Sequence, residues 1–221
     1  MQLEYKMYRK PKYSISDTEM QALLKKYPFL RYRNVWTDKQ LYHGKSQNIE
    51  HNYYKYWDNS GWEELWKMKY LPRLFKLYDT WDNAKKKAFR FHEVKEKYGT
   101  LRIYTSFDTG LEFVTETLSG WTCEFCGKTP REDGKRVIWT TSGWITNLCE
   151  DCVRKQIEAY FDVKKIDMEK KLAEMKNIQE KPFGYTRYSK DILTTVLYKE
   201  TEDGWLEKDK EIEETRIKDE T

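Results

Sequence analysis

Helical and alternating hydrophobic spacings follow one another along the first half of the chain. A capping-box pattern from Ser16 to Glu19 precedes hydrophobic residues at helical spacing and predicts a helix over about 17–26. A second such pattern, Ser60 to Glu63, predicts a longer helix over 61–83, which Pro72 would kink or restart.

Between Phe89 and Tyr104, hydrophobic residues alternate with charged ones on both sides of a turn at Gly99. Such alternation predicts an antiparallel hairpin with one solvent-facing side. The hydrophobic side consists of Phe89, Phe91, Leu101 and Ile103. Because an apolar face must be covered, we expect it to pack on the helix of residues 61–83.

The central segment is predicted to alternate helix and hairpin. Asp108 is expected to cap a short helix, and residues 137–148 are expected to form a hairpin. A long helix then runs toward Pro182, with a break at Asp162 or Asp167.

The C-terminal segment contains one more hairpin signal around Asp203-Gly204. The charged residues 207–221 are expected to fray. We therefore divide the chain into a helical and β-hairpin region (1–120), a cysteine module with its long helix (121–181), and a C-terminal hairpin with a charged tail (182–221).

Four cysteines carry the strongest chemical signal in the sequence. Cys123 and Cys126 form one Cys-x-x-Cys pair, and Cys149 and Cys152 form another, with 22 residues between the pairs. Four thiolates suit one tetrahedral zinc ion. Gly127 suits the positive φ that such a turn often needs. Because four protein ligands leave no open coordination position, the ion is expected to be structural.

Three other uses of the cysteines stay open on the sequence alone. Two disulfides would need an oxidising compartment, and residues 1–6 show no apolar signal segment. A thioredoxin-type pair would stand alone after a buried strand. Iron, as a cluster or a single ion, also takes four cysteines. We expect one structural Zn²⁺.

The order of elements around the cysteines predicts the fold class. A cysteine turn, a hairpin and a second pair at a helix start follow one another as in treble-clef zinc modules. The sequence therefore predicts an α+β fold, in which a small antiparallel sheet packs on helices and a treble-clef-like zinc module with four cysteine ligands leads into a long helix.

Three motifs resemble a family of uncharacterised bacterial and phage proteins. They are VKEKYGTLRIY at Val94–Tyr104, CEFCG at Cys123–Gly127 and GWITNLCEDC at Gly143–Cys152. The resemblance covers about residues 60–155, and Thr100 stands where a second glycine is common. The family has no assigned activity. It implies the zinc module and, together with the coding bias of an AT-rich genome, a phage origin.

Composition and charge exclude few functions. Hydrophobic residues make up 38% and charged residues 35% of the chain, so the core is small and the surface heavily charged. The net charge is +7 over residues 1–120 and −3 over 181–221, which suits nucleic acid or an acidic protein surface. Without an 18-residue apolar run, we expect no membrane partner and a cytoplasmic location, in the host cell if the protein is phage-encoded.

The sequence lacks the usual groups of an enzyme active site. If all four cysteines hold metal, none remains as a nucleophile, and no glycine-rich phosphate loop is present. His43, His51 and His92 are scattered, and the hairpin 137–148 lacks the histidine of treble-clef nucleases. We therefore predict no catalytic activity. A hidden site would lie in the irregular stretch 29–59.

Two binding functions remain. In the first, the protein binds and inhibits a host protein such as a defence or transcription component, as its aromatic content and acidic tail favour. In the second, it binds nucleic acid through lysines near aromatic residues, and a solvated lysine-rich surface is the alternative explanation for these lysines. The candidate lysines are Lys10, Lys12, Lys85, Lys86 and Lys87.

Overall fold

A computed structural model describes residues 11–32, 52–58, 60–161, 163–189 and 192–215 of the 221-residue chain. The chain divides into two units, Met1–Asn177 and Ile178–Thr221. Small antiparallel sheets and short helices make up the fold, which confirms the predicted α+β class.

The helices are α1 (Asp17–Lys26), α2 (Leu71–Thr80), α3 (Asn83–Ala88), α4 (Leu111–Gly120), α5 (Glu150–Tyr160) and α6 (Met168–Met175). The strands are β1 (Phe91–Lys97), β2 (Thr100–Thr105), β3 (Arg131–Glu132), β4 (Lys135–Thr140), β5 (Asn147–Leu148), β6 (Lys176–Ile178), β7 (Gly184–Ser189), β8 (Ile192–Glu200) and β9 (Leu206–Thr215). They form a two-stranded sheet (β1-β2), a four-stranded sheet around β4, and a three-stranded sheet (β7-β8-β9).

The first capping box forms as predicted and starts α1. The amide of Glu19 donates to the Ser16 hydroxyl at 3.3 Å, and the Ser16 amide donates to the Glu19 carboxylate at 2.8 Å. Two orphan amides are therefore satisfied at the helix start. Met20 and Leu24 bury the inner face of this helix.

The second predicted capping box does not form, although the helix predicted to follow it is present. The Ser60 hydroxyl accepts a bond from the amide of Trp62. The Glu63 carboxylate does not return to Ser60; it accepts bonds from the amides of Lys12 and Tyr13, both at 3.0 Å. The Glu63 carboxylate, which the local pattern predicts to bond the Ser60 amide, is thus bound by a chain segment about 50 residues away.

The helix that follows changes its geometry near Pro72. It begins at residues 63–64, continues as a π-helical segment over Leu65–Tyr70, and becomes α-helical in α2. Pro72 lies in the first turn of α2, where its missing amide costs little. The helix thus changes its hydrogen-bonding pattern at Leu71 and continues without interruption, where a kink or restart at Pro72 was predicted.

The predicted hairpin is present as β1 and β2, and its hydrophobic side is buried. Helix α4 is the main cover of β2, and the amide of Leu101 donates to the Ser119 hydroxyl at 2.8 Å. The helix of residues 63–80 contributes aromatic contacts, such as the Trp66 ring 5.7 Å from that of Phe91. The predicted contact with this helix is therefore present, and α4 is a second cover that the sequence did not indicate.

Helix α4 begins later than the Asp108 cap predicted. Gly110, in the left-handed region at φ 79°, is the N-cap residue, and its amide donates to the Asp108 carboxylate at 2.8 Å. Glu112 accepts a bond from the amide of Thr109 at 3.0 Å. Asp108 thus shapes the turn before the helix instead of capping it.

The predicted long helix is two helices. Helix α5 ends where Phe161 is extended (φ −122°, ψ 152°). The Asp167 carboxylate accepts a bond from the amide of Lys170 and caps α6, which confirms a break at Asp167. The chain becomes strand β6 at Lys176, well before Pro182, because β6 pairs with β4.

In the second unit the predicted hairpin is confirmed as β8 and β9, and β7 adds a third strand. The expected fraying after Glu207 is wrong for residues 207–215, which pair along β8. Their charged side chains are exposed while the backbone bonds to the neighbouring strand, so charge alone does not prevent pairing.

A buried lysine fastens the N-terminal segment to the helix of residues 63–80. The Lys67 side chain is 1% exposed and forms ion pairs with Asp58 and Glu63. Its ammonium also donates to the Tyr13 carbonyl at 2.9 Å and lies 5.0 Å from the centre of the Tyr54 ring. Hydrogen bonds and opposite charge together compensate the cost of removing this ammonium from water.

The Glu63 carboxylate is the partner that this lysine needs. Burial alone would raise the pKa of Glu63, but hydrogen bonds from the Lys12 and Tyr13 amides and from Lys67 outweigh burial and lower it. A lowered pKa means that the folded state favours the ionised carboxylate.

We predict that Glu63→Ala lowers the free energy of unfolding by about 3 kcal/mol at neutral pH, because it leaves Lys67 buried without this partner. The matched control is Glu64→Ala: Glu64 pairs with exposed Lys12, and its loss should cost less than about 1 kcal/mol. Urea unfolding measures both values.

The same experiment has a pH signature. Because the pKa of Glu63 is lowered on folding, its stabilisation is present above the unfolded pKa and is lost as the pH falls through the folded pKa. The difference between wild type and Glu63→Ala should therefore shrink below about pH 4. Equal losses for the Glu63 and Glu64 variants at neutral pH would contradict this account.

Candidate metal centre

The four predicted cysteines converge on one point. Their sulfur atoms all lie within 4.8 Å of one another, and no two of the four are joined by a disulfide. The closest pair, Cys126 Sγ and Cys149 Sγ, is 3.4 Å apart. Zn–S bonds of about 2.3 Å in a tetrahedron place sulfurs roughly 3.8 Å apart. The donor set therefore fits a single four-coordinate ion.

The first pair sits on a tight turn, the cysteine turn (Cys123–Gly127). The amide of Gly127 donates to the Cys123 carbonyl at 2.9 Å, and Gly127 has the predicted positive φ of 76°. A Cβ at Gly127 would lie 2.7 Å from the Gly61 carbonyl oxygen, and a Cβ at Gly61 would overlap the Cys123 carbonyl. Two glycines thus let two backbones touch beside the sulfurs.

The second pair starts α5, as predicted. Cys149 is the N-cap residue, and its carbonyl accepts bonds from the amides of Cys152 and Val153, both at 3.0 Å. The positive end of the helix dipole stabilises negative charge on the sulfurs. Hydrophobic residues enclose the pair: Val137, Trp139, Leu148, Val153, Ile157 and Leu172.

Hydrogen bonds prepare part of the donor set for ionisation. Bonds among the thiols, first those with Cys123, lower the pKa of Cys126 and bring that of Cys149 to about 7, whereas the bonds among the thiols raise the pKa of Cys123 and Cys152. Metal binding requires thiolates, so a lowered pKa reduces the cost of releasing protons to the solvent. On the surface, Lys128 and Asp151 form an ion pair at 2.6 Å between the cysteine turn and α5.

A buried asparagine joins the cysteine turn to two other motifs. The Asn147 amide donates to the Glu124 carboxylate at 2.7 Å, and its carbonyl accepts from the Glu124 amide at 3.0 Å. The side-chain amide of Asn147 donates to the Gly99 carbonyl at 2.8 Å, and its oxygen accepts from the Thr140 hydroxyl at 2.7 Å. The backbone of Asn147 therefore holds the cysteine turn, and its side chain joins the hairpin turn to strand β4.

Asn147 and Glu124 were missed in the sequence, although both lie inside the quoted motifs. Burial raises the pKa of Glu124 to about 8, against the hydrogen bond from Asn147 and with a smaller contribution from Glu96. The available signal was position alone: Glu124 directly follows Cys123, and Asn147 lies two residues before Cys149.

The first group of candidate nucleic-acid residues is only partly described. Lys10 lies outside the described residues, as do His43 and His51, the two histidines considered for a hidden active site. The Lys12 ammonium pairs with Glu64 at 3.0 Å, so this lysine neutralises an acid of its own chain. His92 is exposed on β1.

The second group lies on α3. The Lys85 ammonium is 4.8 Å from the centre of the Trp81 ring, and Lys86 donates to the Asp79 carbonyl at 3.1 Å. Lys87 is exposed. This group follows the C-terminal end of α2 at Thr80, while Lys12 pairs with Glu64 at the start of the helix of residues 63–80. The two ends of that helix are on the order of 20 Å apart. The two groups do not form one patch.

Comparison of the chain with protein-family models, curated proteins and solved structures finds no match. The resemblance to the bacterial and phage family rests on the quoted motifs and stays a prediction. Within the described part of the chain, every helix is too short or too polar to cross a membrane.

We predict one tightly bound zinc ion per chain, held by the four cysteines, and loss of the ion in Cys149→Ser. Structural zinc contributes on the order of 10 kcal/mol to folding, so this variant should also lose ordered structure in α5. Metal analysis and circular dichroism measure both effects. Ser142→Ala, on an exposed loop, is the control that keeps the ion. Less than half an equivalent of metal, or iron in place of zinc, would refute the prediction.

We also predict that Asn147→Ala lowers zinc affinity by about tenfold: the backbone bonds to Glu124 remain, but the side-chain bonds that hold residue 147, two positions before Cys149, to Gly99 and Thr140 are lost. Competition with a chelator measures the affinity. Asn177→Ala is the matched control: its exposed amide bonds to the same Thr140 hydroxyl at 3.0 Å but lies away from the sulfurs. Equal effects of the two variants would count against the role of Asn147.

Proposed function

We propose that this chain is a non-enzymatic, zinc-stabilised binding protein, encoded by a phage, that binds and inhibits a macromolecule of the host cell. A host protein, such as a defence or transcription component, is the first candidate partner. The observation that carries the proposal is the donor set: four buried or half-buried sulfurs within 4.8 Å supply every ligand of a tetrahedral ion. Such an ion has no position left for a substrate.

The geometry around the sulfurs supports a treble-clef module. The cysteine turn is followed by the antiparallel pair β4 and β5, and the second cysteine pair opens α5. The short length of β5, two residues, and the separation of α5 from α6 make this a compact version of the module.

Two further features support binding without catalysis. All four cysteines belong to one donor set, so none is left as a nucleophile when they hold an ion. His92 is exposed on β1 and belongs to none of the predicted motifs of an active site. The carboxylates buried in the first unit have structural partners: Glu63 binds amides and Lys67, and Glu124 binds the Asn147 amide.

The test is affinity capture from bacterial lysate together with a measurement of host growth on expression. We expect wild type and the double variant His43→Ala/His51→Ala to capture the same partner and to slow growth equally. Cys149→Ser should lose both. If the double variant keeps its fold and its partner but loses the effect on growth, a catalytic site in residues 29–59 becomes the better explanation.

A nucleic-acid partner is the second candidate function. The lysines predicted for it do not form one patch, but a different surface of the first unit has the required chemistry.

A further inference from the structure

The outward side of the β1-β2 hairpin carries three basic residues and one tyrosine among its six positions. Strand register places residues on this side in facing pairs, while Val94 with Ile103 and Glu96 with Leu101 form the pairs of the opposite side. The pairs are Glu93 with Tyr104, Lys95 with Arg102, and Lys97 with Thr100. Tyr98 follows directly at the turn, where it has a positive φ of 55° next to Gly99. We call this side, together with Trp144, the ribbon face.

Three large aromatic side chains of the ribbon face are exposed to solvent. Tyr98 is 63% exposed, Tyr104 43% and Trp144 77%. Trp144 belongs to the neighbouring loop: the side chain of the next residue, Ile145, would lie 3.3 Å from a Cβ at Gly99. Tyr98 lies at the turn, Trp144 belongs to the loop beside it, and Tyr104 lies toward the other end of β2. Exposed rings next to basic side chains offer stacking surfaces for a ligand.

The charges on this face favour an anionic partner. The Lys95 ammonium lies 5.4 Å from the centre of the Tyr104 ring, and that of Lys97 lies 5.3 Å from the Tyr98 ring. Glu93 pairs with Lys95 at 2.7 Å, and Arg102 pairs with Glu116 of α4 at 2.8 Å. With these two acids included, the face keeps a small net positive charge.

The two acids nearest the turn face inward. Glu96 accepts a bond from the Gly99 amide at 2.9 Å, and Glu124 accepts from the Asn147 amide at 2.7 Å. Both carboxylates are thus used to hold the turn, and the side chains that project outward there are aromatic or basic.

We propose that the ribbon face binds single-stranded nucleic acid, with bases stacked on Tyr98 and Trp144 and phosphates near Lys95 and Lys97. Base stacking on exposed rings with nearby lysines is the usual chemistry of single-strand binding. The cores of protein interfaces, in contrast, are depleted of lysine. This proposal rests on the proposed function only in that the chain acts by binding. It names single-stranded nucleic acid as the partner in the second candidate function.

The zinc centre and the ribbon face are physically connected. Asn147 bonds to the Gly99 carbonyl at the turn and to Glu124 in the cysteine turn. The structural ion therefore fixes the loop that presents Trp144 relative to the turn that presents Tyr98, and a rigid pair of rings loses less entropy on binding.

The test is fluorescence anisotropy with a labelled single-stranded DNA of about 20 nucleotides, its RNA counterpart and the matching duplex, at about 50 and 200 mM salt. We expect wild type to bind the single strands more tightly than the duplex, and to bind less tightly at the higher salt. Trp144→Ala and Tyr98→Ala should each weaken binding at least about fivefold, as expected for the loss of one stacked base.

Matched controls lie outside the face. Phe161→Ala removes an aromatic residue that is 53% exposed, and Lys76→Ala removes an exposed lysine of α2. Both should bind as wild type does. All variants should keep one zinc ion, so that a change in binding is separated from a failure of the zinc centre.

The proposal is overturned if wild type with its full zinc content leaves the single strands unbound, if the duplex binds equally well, or if the controls weaken binding as much as the ring variants. If a host protein is captured and Trp144→Ala releases it while no nucleic acid binds, the ribbon face is a protein-binding surface. The general binding function would then stand and the nucleic-acid proposal would fall.

Discussion

Four sulfurs gathered in a hydrophobic core are the constraint on which the first unit depends. Thiolates within 4.8 Å of one another repel strongly where water is scarce, so the arrangement is stable only with a cation at its centre or with most protons retained. The surrounding residues hold the sulfurs together both with a bound cation and with protonated thiols. The fold around them is accordingly built to resist expansion, through backbone contacts that allow only glycine at Gly61 and Gly127.

From this centre the order of the unit spreads through hydrogen bonds as well as through buried hydrophobic residues. Asn147 links the cysteine turn to the hairpin, and Trp62 of the helix start donates to the Ser119 carbonyl of α4 at 3.2 Å. At the far end, Glu63 and Lys67 hold the N-terminal segment. Each link joins parts of the chain that are distant in sequence, and this explains how a chain with few aliphatic residues maintains one structure.

The sequence allowed correct prediction wherever the deciding interactions are local. The cysteine pairs, the α1 cap at Ser16 and the β1-β2 alternation all depend on residues within one turn or one strand. Identical local patterns failed where a distant group competed. Ser60 to Glu63 repeats the pattern of Ser16 to Glu19, but its carboxylate binds the amides of Lys12 and Tyr13, which no local spacing reveals. Asn147 was missed for the same reason, and β9 because its pairing with β8 depends on backbone groups.

The contact between Gly61 and the cysteine turn has a consequence for the order of folding. The Gly61 amide donates to the Glu124 carbonyl at 2.6 Å, although the helix of residues 63–80, α3, the β1-β2 hairpin and α4 lie between them in sequence. Closing so long a loop is entropically costly and is slow compared with forming either local turn. A nascent chain therefore has its first cysteine pair exposed before the surface that shelters it has assembled. Its sulfurs pass from solvent into the core only when this loop has closed.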